Sequence, residues 1–529
     1  MDNQAKTAAA PDDIVLSMEN ITKIYDNGFV ANKDINFSLR RGEIHGLLGE
    51  NGAGKTTLMK VLFGHEKPER GRILLNNQEI KIDSPLKAIE YGIGMVHQHF
   101  MLVDNLTVAE NMVLGNEPTK AGAFFDKEKA IALTNETAQK FNLPIDPTAL
   151  IKDLSVGYKQ RVEILKVLLR GVKILILDEP TAVLTPQETE ELFIQLMDLK
   201  KKDFTIVFIS HKLNEVKRIC DRITVLRSGE VSGTADVADV TVQDMSRMMV
   251  GRTVMMDIDK KKATPGKSVL KVRDLVYTNR FGIDAVKNVS FDLRAGEILG
   301  VAGVEGNGQS ELSDILSGLI PLKSGSVTLE GKNLAGMSIH QIREAGVALI
   351  HEDRMIYGVS VTQSIAENLV SERFFKPPYS RNGVISLKEI GKTAEELIED
   401  FTVKCDGPDA PVKTLSGGNV QKVVAARECS SKPQVMIANQ PTRGIDVGAT
   451  ELIRNKIVEL RDKYNTATLL ISADLTELLT VCDSIIVMYD GEIVAYFPDL
   501  EGVTENILGE YMLGIKKGDA ENIGGVLYE

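Results

Sequence analysis

Residues 42–64 read GEIHGLLGENGAGKTTLMKVLFG. An apolar run (GEIHGLL) leads into the loop Gly49-Glu-Asn51-Gly52-Ala-Gly54-Lys55-Thr56-Thr57, and a helical run (TTLMKVLFG) leads out of it. The pattern G-x-x-x-x-G-K-[ST] marks a phosphate-binding loop, and not an ordinary glycine turn, when a strand precedes it and a helix follows. The glycines let backbone N–H groups converge on phosphate oxygens, and the helix start adds positive potential. Lys55 is then expected to reach the β- and γ-phosphates of a nucleotide, and Thr56 to ligate Mg²⁺. The same element recurs as Gly303-Val-Glu-Gly306-Asn-Gly308-Gln309-Ser310, at an offset of 254 (303 − 49) and without the lysine.

The repeat extends well beyond the loops. FSLRRGEIHGLLG (37–49) recurs as FDLRAGEILGVAG (291–303), LSVGY at Leu154 as LSGGN at Leu415, and RICDRITVLRSGEV from Arg218 as TVCDSIIVMYDGEI from Thr480. A long, slowly drifting period means domain duplication, not a solenoid array. The reading is a tail over 1–12, a first domain over 13–249, a polar linker over 250–267 containing Pro265 and Gly266, a second domain over 268–515, and a tail over 516–529. Strand candidates such as EIHGLL, KILILDE and TIVFIS alternate with helical stretches, which is the α/β pattern. The segments after Gln98 and after Glu352 lack strong strand runs and are expected to be helical subdomains.

Composition bounds the function. At 529 residues, 43% hydrophobic and 26% charged, the chain has enough material for several cores and the balance of a soluble globular protein. No apolar run approaches the length of a membrane helix, and the N-terminus lacks a signal-peptide pattern, so a cytosolic chain is expected. Cys220, Cys405, Cys429 and Cys482 form no metal-ligand spacing. A net charge of −12 argues against a large nucleic-acid surface, and no nucleic-acid partner is expected.

In the first half, KILILDEP ends an apolar strand in Asp178 and Glu179. Asp178 fits a ligand of Mg²⁺, and Glu179 fits the base that orients an attacking water. Gln98 (GMVHQHF) and His211 (VFISHKL) each follow a strand-like run and are within reach of a γ-phosphate, although either type is also common as a satisfied polar residue at a strand end.

With LSVGYKQR (154–161) and LSGGNVQK (415–422), the set resembles the ATP-binding cassette (ABC) family of transporter ATPases, twice over, across about residues 13–515. The resemblance implies two tandem P-loop ABC-type nucleotide-binding domains. Each would have a RecA-like α/β core, an antiparallel β subdomain and a helical subdomain. Gly49–Thr57 match the Walker A loop, Asp178 and Glu179 the Walker B strand, Gln98 the Q-loop (with a share in the metal) and His211 the switch histidine. Tyr25 falls where an aromatic stacks on adenine, or is a surface tyrosine. The family packs its cassettes head to tail, here as an intramolecular dimer, with each ATP between the Walker motifs of one half and the signature of the other.

That geometry sorts the departures from consensus. Site one would hold Lys55, Thr56, Gln98, Asp178, Glu179 and His211, facing Ser416, Gly417 and Gly418, with Asn419 for the usual glutamine the one departure. Site two would have Gln309 for lysine, Asn439 and Gln440 for the two acids, Ala473 for the histidine and Glu352 for Gln98. It would face a signature altered at Val156 and Tyr158. The loops after the acids agree, with Asp446 facing site one and Thr185 facing site two. Site one is therefore expected to hydrolyse ATP, and site two to be inactive. The retained Gly303, Gly306, Gly308 and Ser310 leave nucleotide binding open there, against the alternative of a site that binds nothing.

Fused cassettes without a membrane span look like the energy subunit of a bacterial importer. EPTAVLTPQE, QPTRGIDVGA and IHEDR point to the sugar and nucleoside branch, and residues 94–115 most of all to nucleoside uptake. The resemblance implies ATP and Mg²⁺, two integral membrane permease subunits and, through them, an extracellular solute-binding protein. It also implies peripheral attachment at the cytoplasmic face of the membrane. Phe100, Met101, Leu102 and Val103 are candidate permease contacts, or ordinary packing of the helical subdomain. The competing class is a soluble tandem-cassette translation factor acting on the ribosome, which generally keeps two intact sites and a long charged linker. DNA-repair cassettes carry zinc-type cysteine pairs that this sequence lacks.

Overall fold

The computed structural model describes residues 13–26, 28–98, 100–120, 124–182, 184–251, 258, 260–279 and 282–518. The expected N-terminal tail, residues 252–257 and 259 of the expected linker, and residues 519–529 of the expected C-terminal tail lie outside these. Two compact units emerge, Met1–Val254 and Met255–Glu529. From the second part of the linker stretch, Ile258 packs against the core of unit two, and the Lys261 carbonyl accepts from Arg461 at 2.9 Å. Of the expected C-terminal tail, Lys517 pairs with Glu492 at 2.6 Å and the Gly518 N–H donates to the Val494 carbonyl.

In unit one, a six-stranded sheet runs in the order 230–236, 222–227, 44–49, 205–209, 174–178, 93–96. All neighbours are parallel except the antiparallel edge pair Arg222–Arg227 and Glu230–Asp236. The central strands Ile44–Gly49, Ile174–Asp178 and Thr205–Ile209 are buried at every position. This is why they read as unbroken apolar runs, since a parallel sheet covered on both faces has no solvent side to alternate with. A second sheet, fully antiparallel, runs 30–40, 14–24, 70–75, 78–80. Unit two repeats both sheets strand for strand, with Ile298–Ala302, Ala467–Ile471 and Val435–Asn439 as its central parallel strands.

The expected helical subdomains are present as Val108–Val113, Lys127–Phe141 and Val156–Leu169, and as Ile365–Val370, Leu387–Asp400 and Gly417–Ser430. The first helix of each starts with a capping box, Thr107 with Glu110 and Ser364 with Glu367, so the same local chemistry opens both copies. Each subdomain also carries a two-stranded hairpin, Thr119–Lys120 with Phe124–Phe125 and Ser380–Arg381 with Val384–Ile385, too short to register as a strand pattern in the sequence.

One buried ionic cluster separates the copies. Glu43 accepts from Arg222 Nη2 at 2.9 Å and Nε at 3.2 Å, and lies 3.1 Å from His45 Nδ1. Burial acts to raise the Glu43 pKa, but hydrogen bonds from His45 and Arg222 outweigh it and hold it at about 2. Unit two has Ser484 in place of Arg222, donating to Glu297 at 2.7 Å, and there burial pushes the Glu297 pKa up. A folded-state pKa below the unfolded one stabilises the fold above the unfolded value. Stability from Glu43 is therefore complete above about pH 4.5 and lost as pH falls toward about 2. Glu43→Gln is expected to destabilise unit one by about 3–5 kcal/mol in urea unfolding at pH 7, because it strands the Arg222 charge. It should also remove that acid-side slope.

Candidate active site

The strand order places Thr205–Ile209 between the loop strand and the strand that ends in Asp178, so the phosphate loop and the acids gather at one edge of the sheet. This is the carboxyl end of a parallel sheet, where open α/β folds bind ligands. Gly54 precedes the helix Lys55–Leu62 at φ 101, and a β-carbon there would run into the Ala31 carbonyl oxygen. Gly308, at φ 98, stands in the same relation to the Ala285 carbonyl, so the loop shape survives in unit two without its lysine.

Lys55 is buried, and its Nζ donates to the Gly49 carbonyl at 2.7 Å and the Glu50 carbonyl at 3.0 Å. Burial lowers its pKa, against the pull of Glu179, Asp178 and Glu50. Thr56 Oγ1 donates to Asp178 Oδ2 at 3.4 Å. Burial, and then the neighbouring Glu179 charge, push the Asp178 pKa up to about 6, with Lys55 opposing. A buried carboxylate raised in this way lacks a sufficient counter-cation. The hydroxyl of Thr56, the carboxylate of Asp178 and the amide oxygen of Gln98 are hard oxygen donors that fit Mg²⁺, an ion that keeps several waters and leans on substrate phosphates. Among the described residues no cluster of three or more His, Cys, Asp or Glu forms a self-sufficient metal cage.

Glu179 sits at φ 49, with its N–H on the Ile209 carbonyl at 3.0 Å. Its carboxylate is held from two sides, by Gln98 Nε2 at 3.1 Å and His211 Nδ1 at 3.0 Å. Burial acts to raise its pKa, but the His211 hydrogen bond and the His211, Lys55 and Lys212 charges outweigh that, leaving Glu179 below the usual glutamate range and ionised at neutral pH. Tyr25 ends near this loop, half-buried, with its hydroxyl 3.2 Å from Thr57 Oγ1. Lys55, Thr56, Gln98, Asp178, Glu179 and His211 thus form one connected group, with Gly49, Asn51, Gly52 and Thr57 on the loop itself.

Unit two keeps the scaffold and replaces the chemistry. Gln309 donates to the Val304 carbonyl at 3.2 Å, mimicking one of the lysine's resting bonds without its charge. Asn439 is buried, and among the described residues neither its amide nitrogen nor its oxygen has a partner. Gln440 keeps the left-handed backbone of Glu179, at φ 52, and its Oε1 accepts from the Ala473 N–H at 3.2 Å. Arg443 lies 3.5 Å from Glu305 on the loop and 3.9 Å from Glu352, an ion-pair bridge with no counterpart in unit one, where the aligned residues are Asn51, Gln98 and Ala182.

The two signature helices also differ. In unit two, Asn419 Nδ2 donates to Ser416 Oγ at 2.9 Å, and its Oδ1 accepts from the Lys404 N–H at 2.9 Å, so the departure from glutamine is accommodated by local bonds. In unit one, the Gly157 N–H donates to Glu188 Oε1 at 3.1 Å, with Ser155 Oγ at 3.4 Å from the same oxygen. That helix start already holds a carboxylate. Glu188 was not singled out by the sequence because it sits within a normal capping box with Thr185; its second role depends on the approach of two helices.

The ABC transporter family model matches residues 32–182 and 286–443. The chain is 45% identical to the nucleoside import ATP-binding protein NupA of Lactococcus lactis, covering 94% of this chain and 98% of that protein. It is 44% identical to the guanosine import ATP-binding protein NupO of Bacillus subtilis, covering 97% and 99%. It is 43% identical to the glucose import ATP-binding protein TsgD13 of Haloferax volcanii, covering 96% and 97%. No helix among the described residues is long and apolar enough to cross a membrane. The translation-factor alternative is not favoured by these relatives. With both halves matched and relatives aligned almost end to end, the chain belongs to the ABC transporter family of ATPases.

Proposed function

We propose that this chain is the ATP-hydrolysing, energy-coupling subunit of a bacterial importer for nucleosides or simple sugars. It would act at the cytoplasmic face of the membrane on two permease subunits fed by an extracellular solute-binding protein. The observation that carries the importer reading is identity of 43–45% over nearly the full length of three import ATP-binding proteins, two of them named for nucleosides or guanosine. Domain boundaries near 249 and 268, with short flanking tails, belong to the same reading.

Hydrolysis is assigned to unit one's loop and acids, completed by Ser416, Gly417 and Gly418 of the unit-two signature. Lys55 binds the β- and γ-phosphates, and Gly49, Asn51, Gly52, Gly54 and Thr57 cradle them. Thr56, Asp178 and Gln98 would hold Mg²⁺, which would supply neutralisation of developing phosphate charge. Glu179 takes the proton of the attacking water, and His211 orients Glu179 and faces the γ-phosphate. Tyr25 lies on the adenine side. What supports this is the Glu179 carboxylate held between Gln98 and His211 and kept ionised there. The second site, built on Gly303, Gly306, Gly308 and Ser310, has a phosphate-shaped loop and no base, and no turnover is assigned to it.

The test is recovery of tagged protein from detergent-solubilised membranes with partners identified by mass spectrometry. Multi-span permeases are the expected partners, and uptake of guanosine against ribose in cells with and without the chain then separates the solutes. Ribosomal proteins with no permease would end the importer reading.

A further inference from the structure

We propose that Arg354 is a positioning residue for ATP hydrolysis, tying the start of the unit-two signature helix to the loop after the Val435–Asn439 strand. The inference rests on the reading that this signature completes the hydrolytic site.

Arg354 lies in a segment that is three residues longer in the second copy. Asn111 and Asn368 do the same job, each bonding both the N–H and the carbonyl of the residue eight positions before it, Val103 and Ser360. From Gln98 to Asn111 is 13 residues (111 − 98), and from Glu352 to Asn368 is 16 (368 − 352). The three additional residues are accommodated in a single wide helical turn, Arg354–Gly358. Asp353 caps it, its Oδ1 accepting from the N–H groups of Met355 and Ile356 at 3.0 Å.

The turn aims Arg354 inward. Its Nη1 donates to the Arg443 carbonyl at 2.9 Å, and Nη2 lies 3.5 Å from the Gly444 carbonyl. Nη2 also lies 2.9 Å from where a β-carbon on Gly417 would stand, so the guanidinium rests on the first residue of the signature helix and a methyl there would push it aside. Its Nε is buried with no partner among the described residues. The outward side of the same turn is exposed and apolar, with Met355, Ile356 and Tyr357.

Electrostatics gives the arrangement its direction. A helix start is positive, so a cation there is unfavourable unless an anion stands beside it. In unit one the Glu188 carboxylate accepts from the Gly157 N–H at the signature helix start; in unit two Ala449 is aligned with Glu188, Asp446 Oδ2 lies 2.7 Å from where a β-carbon on Gly418 would stand, and Arg354 adds a guanidinium beside Gly417. Arg354 sets the position of the unit-two helix start through the carbonyls it holds, next to the Asp446 carboxylate.

The experiment is steady-state ATPase activity of the full chain with its permease partners, together with mant-ATP binding and thermal melting, for Arg354→Ala, Arg354→Lys and Gly417→Ala. Arg354→Ala is expected to lower kcat by about 10–100-fold with KM for ATP changed less than about threefold. Arg354→Lys is expected to recover part of the rate, because one donor still reaches a carbonyl. Gly417→Ala, which displaces the guanidinium, should match Arg354→Ala. Unchanged kcat in Arg354→Ala overturns the role. So does a parallel loss of kcat, mant-ATP affinity and melting temperature with no recovery by lysine. Glu179→Gln in the same assay separates the two readings. If it is active, the assignment of the hydrolytic site fails; if it is inactive while Arg354→Ala is normal, only the role of Arg354 fails.

Discussion

Glu179→Gln is expected to lower ATP turnover by about 10²–10⁴-fold while ATP binding stays within about twofold of the parent. The carboxylate is poised as a base, ionised at neutral pH and held at both oxygens by Gln98 and His211. An amide of the same shape accepts one of those hydrogen bonds and cannot take a proton from water. The fold itself tolerates the change, since the second copy already carries Gln440 in the same left-handed conformation, at φ 52 against 49. Lys55 and Thr56 are untouched, so fluorescence of bound mant-ATP should report normal affinity. Phosphate release is the measurement, and a variant that keeps half the parent rate means that unit one does not house the base.

The second large effect is an asymmetry between the two loops. Lys55→Met is expected to cut turnover by about 10²–10³-fold and to weaken ATP binding, because it removes a preorganised cation from the β- and γ-phosphates in a buried setting. Gln309→Met, the same replacement at the matching position, is expected to change turnover by less than about twofold. Gln309 donates to the Val304 carbonyl and carries no charge. ATPase rates of the two variants measured side by side decide the matter. Equal losses would mean that both loops feed one rate-limiting hydrolysis, and the division into a working and a silent site would have to be given up.

The duplicated fold was legible because its signals are local. The loop at Gly49–Thr57 needs glycines at set positions, and the strands at Ile174–Asp178 and Thr205–Ile209 need apolar side chains on both faces, so both patterns are written along the chain. The acids, Gln98 and His211 were legible for a related reason: each ends a strand, and a parallel sheet brings strand ends together whatever the intervening loops. The short strand pairs of 119–120 with 124–125 and of 380–381 with 384–385 were not, since two-residue strands leave no periodicity.

What the sequence determined by itself is the inventory: which copy keeps lysine, acids and histidine, and which has lost them. Tertiary structure alone decided how these groups are used. Glu188 reads as a capping residue until the helix start at Gly157 is brought within 3.1 Å of it, and Arg354 reads as a surface arginine until Gly417 and the 443–444 carbonyls close around it. The pKa values of Glu43 and Glu297 diverge for the same reason, since one meets Arg222 and the other Ser484 across the sheet. Charge, burial and hydrogen bonding depend on distances between segments far apart in the chain, and those distances exist only after the elements pack.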